Sequence, residues 1–266
     1  MVRAQKGGIS NPIHMKLSVI TPVYNEPRIS ETLESVLSQQ GVGDIEVIVV
    51  DGGSTDQTVT IIDQYANEID VLIQEPDEGL YDAMNKGIEN ATGDIVGILN
   101  ADDRYQHTEV LRSVVDAFNR TDTDLCYGNL VYVDGDDEVV RYWNSGEYQS
   151  KRFYYGWMPP HPTVFVKQEV YEQYEPFDVD LQIAGDYELL LRLLLCHDLS
   201  ATWIDDVLVR MALGGKSNES VTNVLRANWE VYRAWRKNGL RGGIHVPIIK
   251  PLRKIPQFIN DGIPDT

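Results

Sequence analysis

Four short apolar runs in the first hundred residues each end in a polar group, and a stretch with helical spacing follows each one. That alternation constrains the fold more than any other feature. The runs "KLSVITPVYN" (16–25), "IEVIVVD" (45–51), "VLIQE" (71–75) and "DIVGIL" (94–99) are near-continuous in apolar, β-branched residues. Strands apolar on both faces belong in a sheet covered on both faces, which parallel strands with helical crossovers provide. The crossovers show as apolar stripes at Leu33, Val36 and Leu37, then Val59, Ile62 and Ala66, then Leu80, Met84 and Ile88. Val110, Leu111, Val114, Val115 and Phe118 form a fourth. Ligands of such sheets bind beyond the carboxyl ends of the strands. Asn25, Asp51, Glu75 and the polar group at 100–103 all fall there.

The second half reads differently. "LCYGNLVYV" and "EVVRYWN" flank the acidic turn "DGDD" as a hairpin. "TVFVKQEVYEQY" is a strand leading into a helix, "GDYELLLRLLL" an apolar helix, "ATWIDDVLVRMAL" a strand and "NESVTNVLRANWEVYRAWRKN" a long amphipathic helix. No internal repeat or linker divides the chain, so residues 15–240 are expected to form a single α/β domain with a mixed-sheet second half. Residues 1–14 read as a loose extension and 241–266 as a tail. Cys126 and Cys196 match no zinc or redox spacing and read as buried thiols. No segment reaches the ~18 apolar residues of a membrane span, and the N-terminus lacks a signal-peptide core, so a cytoplasmic location is expected.

With 41 acidic against 23 basic residues the net charge is −18, and 9 of the basic residues are lysines. Nucleic acid is excluded as a partner, because binding phosphate chains needs a basic footprint. An anionic ligand would need a local positive charge.

The common phosphate loops, G-x-x-x-x-G-K-[ST] and G-x-G-x-x-G, are absent, and so is a serine nucleophile elbow. The strand ends offer carboxylates and amides instead. "SVITPVYNE", "VIVVDGGSTDQT", "EGLYDAMNKGI", "ATGDIVGILNADD" and "IAGDYELLLR" together resemble the family 2 glycosyltransferases over roughly residues 16–215. The resemblance implies the GT-A fold, an α/β Rossmann-like layering with a mostly parallel central sheet flanked by helices. It divides the domain into a nucleotide-sugar half (15–120) and an acceptor half (121–240). It implies transfer of a sugar, with inversion, from a nucleotide donor to an acceptor hydroxyl.

The resemblance also assigns roles. Asp102 of "NADD" matches the metal-binding position for Mn²⁺ or Mg²⁺, while Asn100 replaces the more usual leading Asp. A hard divalent ion typically takes only one or two protein carboxylates, with phosphates and waters completing its shell. The plainer reading has Asp102 or Asp103 capping the next helix. Thr21, Pro22, Tyr24 and Glu26 follow the strand where the family seats the nucleoside, with Ala101 beside the metal position. Asp51 matches the residue that accepts a hydrogen bond from the base; uracil offers an N3–H, so a UDP-sugar is the expected donor. Ser54, Thr55 and Asp56 read as an ordinary helix N-cap. Asp82 and Lys86 share a helical face, either as an exposed ion pair or, with Tyr81, toward the donor.

Asp186 matches the second member of the family's acidic pair, the catalytic base, with Gly185 at the first position and Glu188 at a structural one. The N-cap alternative for Asp186 stays open. Trp157 and His161 are candidates for the acceptor side. "RMALGGKS" resembles a late loop over the donor, with Gly214, Gly215 and Ser217 permitting movement; the histidine the family often carries there is missing.

The tail "IHVPIIKPLRKIPQFI" (244–259) offers a basic-apolar segment to an anionic membrane surface or to the domain itself. The acceptor expected is a glycan or lipid-linked saccharide, and the absence of Q-x-x-R-W points to addition of one sugar. Two rival readings remain: a non-catalytic nucleotide-sugar-binding subunit, and a sugar-phosphate nucleotidyltransferase, whose glycine-rich signature is missing. Oligomeric state is not encoded in these patterns.

Overall fold

The computed structural model describes residues 15–213, 221–241 and 245–246. The extension 1–14, the loop residues Gly214, Gly215 and Ser217, and most of the tail lie outside the described residues.

The first half alternates as its periodicity predicts: β1 (Lys16–Val23), α1 (Ile29–Leu37), β2 (Asp44–Asp51), α2 (Thr58–Gln64), β3 (Val71–Gln74), α3 (Leu80–Asn90) and β4 (Ile95–Ile98). β3, β2, β1 and β4 lie side by side in that order, all parallel. Their side chains alternate between two cores. Ile20, Ile48 and Val50 face Met84 and Ile88 of α3, while Val19, Val47 and Val49 face Leu33 and Val36 of α1 and Ile62 of α2. Gly87 lets α3 lie close on the sheet, since a Cβ there would stand 2.3 Å from Ile20 Cγ2. Leu80, at the exposed start of α3, takes no part in its buried stripe.

Beyond β4 come β5 (Asp103–Tyr105), α4 (Val110–Arg120), β6 (Leu125–Val133), β7 (Val139–Trp143), β8 (Phe165–Lys167), α5 (Gln168–Gln173), α6 (Gly185–Leu191), β9 (Ala201–Ala212) and α7 (Val221–Lys237). One nine-stranded sheet runs through both halves in the order β3-β2-β1-β4-β8-β6-β9-β5, with β7 paired to β6. β8 is antiparallel to both β4 and β6, so the sheet turns mixed where the second half joins it. α6 continues through a wide π-turn (Arg192–Cys196), and Cys196, read from the sequence as buried, is carried outward by it and is exposed; Cys126 is buried. Val246 is fully buried against the α3–α6–α7 core, and His245 Nε2 lies 2.8 Å from the Tyr154 carbonyl oxygen. The described start of the tail thus packs on its own domain.

Candidate active site

At the carboxyl ends of β1, β2 and β4 the backbone leaves the sheet and the polar residues surface. Register sets Val23 opposite Asp51, and Asp51 opposite Gln74. β1 exits through Asn25, whose φ of 49° lies in the left-handed region that Asn tolerates better than most residues. Its N–H donates to Ser54 Oγ (2.8 Å), and its Oδ1 accepts the Thr55 N–H (2.9 Å). These bonds tie the loop after β1 to the loop after β2. Ser54 and Thr55 therefore do not cap α2, which begins only at Thr58; of the three expected caps, Asp56 alone serves the helix start, accepting the Thr58 N–H.

Asp51 is 2% exposed at the bottom of this notch. Ser54 N–H donates to its Oδ1 at 2.8 Å, and Gln74 Nε2 stands 3.5 Å from Oδ2. Thr21, Pro22 and Ala101 are buried, whereas Tyr24 is exposed.

After β4 the chain makes a tight turn, closed by the Asp103 N–H to the Asn100 carbonyl at 3.0 Å. Asn100 Nδ2 donates to Asp103 Oδ2 (2.9 Å), and Thr32 Oγ1 donates to the Asp103 carbonyl (2.7 Å). The turn drives Asp103 inward, to 1% exposure, and leaves the Asp102 side chain 24% exposed. Neither residue caps a helix, because α4 starts only at Val110. Burial, aided by the neighbouring Asp102 charge, pushes Asp103 well above the usual carboxylate range. The turn thus keeps Asp103 in the interior and leaves Asp102 as the carboxylate turned outward. The Asn100 Oδ1 and Asp103 Oδ1 atoms are buried without a hydrogen-bond partner among the described residues.

Two cations stand at these strand ends. Arg28, missed by motif reading, grips both Glu26 oxygens at 2.8 Å and lies 3.4 Å from Asp102 Oδ2. Those bonds hold Glu26 below its ordinary range. Lys86 reaches Glu75 at 3.0 Å, Asp82 at 3.3 Å and the Pro76 carbonyl at 3.0 Å. Each cation is already shared between two carboxylates. Among the described residues no three His, Cys, Asp or Glu side chains gather into a ready cation cage. One outward carboxylate with an unpartnered amide oxygen beside it still suits a hard divalent ion whose remaining ligands are phosphate and water.

Asp186 sits in the first turn of α6 without capping it: its Oδ1 accepts the N–H of the next residue, Tyr187, at 2.7 Å. Tyr81 Oη lies 3.4 Å from the same oxygen and donates to the Ile183 carbonyl at 2.9 Å. Tyr81 is therefore buried against the loop that leads to Asp186, stacked on Phe177 with centroids 5.4 Å apart. Glu188 is buried and paired with Arg192 at 3.0 Å. Trp157 proves to be a core residue, 4% exposed, with Nε1 bonded to the Ser145 carbonyl and its ring set edge-on to Tyr127 and Phe153. His161 is buried edge-on to Phe177; burial lowers its pKa, and the Asp186 charge pulls the other way.

Tyr132 links the two ends of the site. Its phenol is raised first by burial, with Arg141 opposing, and then by the charges of both Asp103 and Asp186. The "NADD" turn and the Asp186 loop thus act on one side chain, although 83 residues separate Asp103 from Asp186 in sequence.

Comparison with known proteins identifies this arrangement. Residues 18–171 match the Glycosyl transferase family 2 pattern. Glycosyltransferase AglE of Haloferax volcanii is 35% identical over 182 residues, 64% of this chain and 58% of that protein. Among solved structures, the mannosyltransferase PcManGT from Pyrobaculum calidifontis, in complex with GDP-Man and Mn²⁺, superposes with a TM-score of 0.61 at 22% identity, covering 94% of this chain and 72% of that one. S. aureus TarS 1-349 in complex with UDP gives a TM-score of 0.61 at 21% identity, covering 92% and 78%. This chain spans 40% of a longer TarS chain. No described helix is long and apolar enough to cross a membrane. The chain belongs to glycosyl transferase family 2, with the GT-A fold, and is a glycosyltransferase.

Proposed function

We propose that the protein transfers a single sugar, with inversion, from a nucleotide-sugar held at the ends of β1, β2 and β4 to a hydroxyl of a glycan or lipid-linked saccharide. The observation that carries this reading is that the turn after β4 turns Asp102 outward, 24% exposed, at the carboxyl end of the sheet, with Asp186 held in the first turn of α6. In this reading Asp51 accepts a ring N–H of the base. A uracil N3–H fits, which favours UDP-sugars. A guanine N1–H would serve as well, and the neighbours bind both kinds of donor: TarS has been solved with UDP-GlcNAc and PcManGT with GDP-Man.

Held by Asp102, a Mn²⁺ or Mg²⁺ ion would supply the positive charge that the departing diphosphate needs. The need is physical: a phosphate charge about 4 Å from a carboxylate is repelled by roughly 4 kcal/mol at an effective dielectric of 20. Glu26, Asp82 and Asp102 all stand near that path, and Arg28 and Lys86 already share their charge with them. Asp186 takes the proton of the acceptor hydroxyl as that oxygen attacks the anomeric carbon. The bond from that carbon to the diphosphate oxygen breaks with its electron pair, and the nucleoside diphosphate leaves. Binding both substrates in line supplies the proximity contribution.

The test is release of UDP or GDP from UDP-GlcNAc, UDP-Glc, UDP-Gal and GDP-Man, with Mn²⁺ and water as the probe acceptor. Wild-type turnover with one donor, reduced at least 100-fold in Asp186→Asn at unchanged donor affinity, is expected. Equal turnover by Asp186→Asn would remove it as the base. Absence of turnover with any donor that binds would favour the non-catalytic subunit.

A further inference from the structure

The stretch 182–184 leading to Asp186 has no regular secondary structure, so its backbone N–H groups need partners from elsewhere. They share one. Glu230 of α7 accepts the N–H of Gln182 (3.2 Å to each oxygen), Ile183 (2.8 Å) and Ala184 (2.9 Å). Glu230 is 4% exposed and is the sole acidic residue between Val221 and Lys237. Its one ion-pair partner among the described residues is Arg226, with Nε at 3.9 Å. A buried charge is retained only where strong bonds compensate for lost water. Here the compensating donors are the loop amides.

The opposite side of the stretch is held from α3. Tyr81 Oη donates to the Ile183 carbonyl, its ring stacks on Phe177, and the missing side chain of Gly185 makes room for it. A Cβ at Gly185 would meet the ring at 2.7 Å. Ile183 is thus gripped at its N–H by α7 and at its carbonyl by α3. Ala184 opens α6, its carbonyl accepting the Glu188 N–H at 3.0 Å. Fixing Ala184 therefore fixes the helix start and, two residues on, the direction of the Asp186 side chain.

We propose that Glu230, with Tyr81 opposing it, is the positioning residue for Asp186, so that α7 is part of the catalytic apparatus although it lies beyond the residues matched to the family. This rests on Asp186 being the base. Glu230 touches no substrate. It sets where the base stands, and a displacement of about 1 Å is enough to cost roughly 100-fold in rate.

The variant is Glu230→Gln, which keeps the shape but replaces one accepting oxygen with an NH₂ facing the loop amides. Turnover is measured as UDP or GDP release from the donor that binds, normalised to sites titrated with the matching nucleoside diphosphate, beside Asp186→Asn. The expected result is a fall in kcat of about 100-fold with nucleoside diphosphate Kd within about twofold of wild type. A purely structural Glu230 would lower Tm and the number of sites but leave kcat per site intact, and that result overturns the proposal. Loss of turnover in Asp186→Asn with full turnover in Glu230→Gln removes the clamp and leaves the base standing. Full turnover in Asp186→Asn removes both.

Should Glu230→Gln not fold, amide hydrogen exchange on the wild type decides. Protection of the Gln182, Ile183 and Ala184 amides as strong as in α7 is expected, and exchange at the rate of an unstructured peptide contradicts the clamp.

Discussion

At the scale of single residues, the site turns on side chains whose neighbours leave no slack. Gly185 stands where the family usually has an acid, and the reason is visible in Tyr81. The ring fills the volume a side chain would need, and the ring cannot retreat because Phe177 lies against its other face. Gly185→Ala should therefore force the ring off its stack and destabilise by about 1–3 kcal/mol. That should appear as a Tm some 2–12 °C lower by thermal melting. An unchanged Tm would mean that the ring has room the geometry denies it. Asp102 and Asp103 show the same economy with opposite outcomes. One turn sends adjacent identical residues to solvent and to core, and only the outward one is available to a ligand.

At the scale of elements, α6 and α7 form a unit. Besides the Glu230 bonds, Trp235 Nε1 donates to Tyr187 Oη at 2.9 Å in the core, and Asn238 Nδ2 donates to Glu188 Oε1 at 2.9 Å. Trp235→Phe removes the first bond and leaves a gap beside a buried hydroxyl. A loss of about 2–4 kcal/mol is expected by denaturant titration, and a change below 0.5 kcal/mol would contradict this pairing. These elements also show what the sequence made legible. β1 to β4 and their helices could be placed because burial on two faces imposes a pattern that survives without knowledge of partners. β5 could not: three residues carry no period, and "DRY" becomes a strand only because β9 pairs with it. "GGSTDQT" spells a helix cap, yet Asn25 from another loop takes up Ser54 and Thr55. Trp157 lies in a stretch without periodicity, so nothing local distinguished a core ring from a ligand-facing one. Glu230 did leave a signal, a lone acid beside the buried stripe Val231, Ala234 and Trp235, but its partners are backbone amides, which leave no mark in a sequence.

At the scale of the molecule, the two ends of the parallel sheet are built for different purposes. The amino ends of the strands carry a closed polar network: Glu46, 5% exposed, accepts from Lys16 Nζ (2.8 Å), Ser18 Oγ (2.6 Å) and the Thr92 N–H (2.8 Å). Burial alone would raise Glu46, but the bonds from Lys16, Ser18 and Thr92 outweigh it and bring its pKa from 4.5 down to about 2. The folded value lies below the unfolded one, so the stabilisation is fully present above about pH 4.5 and is lost as pH falls through 4.5 toward 2. An unscreened shift of that size amounts to about 3 kcal/mol, and solvent around the partly exposed Lys16 screens the contribution below that. Glu46→Gln should lower stability at pH 7 and flatten this acid limb in melts taken from pH 6 to 2; an identical acid limb in both proteins would rule the network out as its source.

The carboxyl ends are the reverse, with charges left open to a ligand. If a nucleoside diphosphate is to bind there, the repulsion of Glu26, Asp82 and Asp102 must be offset by added positive charge. Calorimetric titration of UDP- and GDP-sugars into wild type and Asp102→Ala, with Mn²⁺, Mg²⁺ or EDTA, tests that most directly. The account predicts binding that needs the metal and is lost in Asp102→Ala. Binding indifferent to both EDTA and the substitution would contradict it.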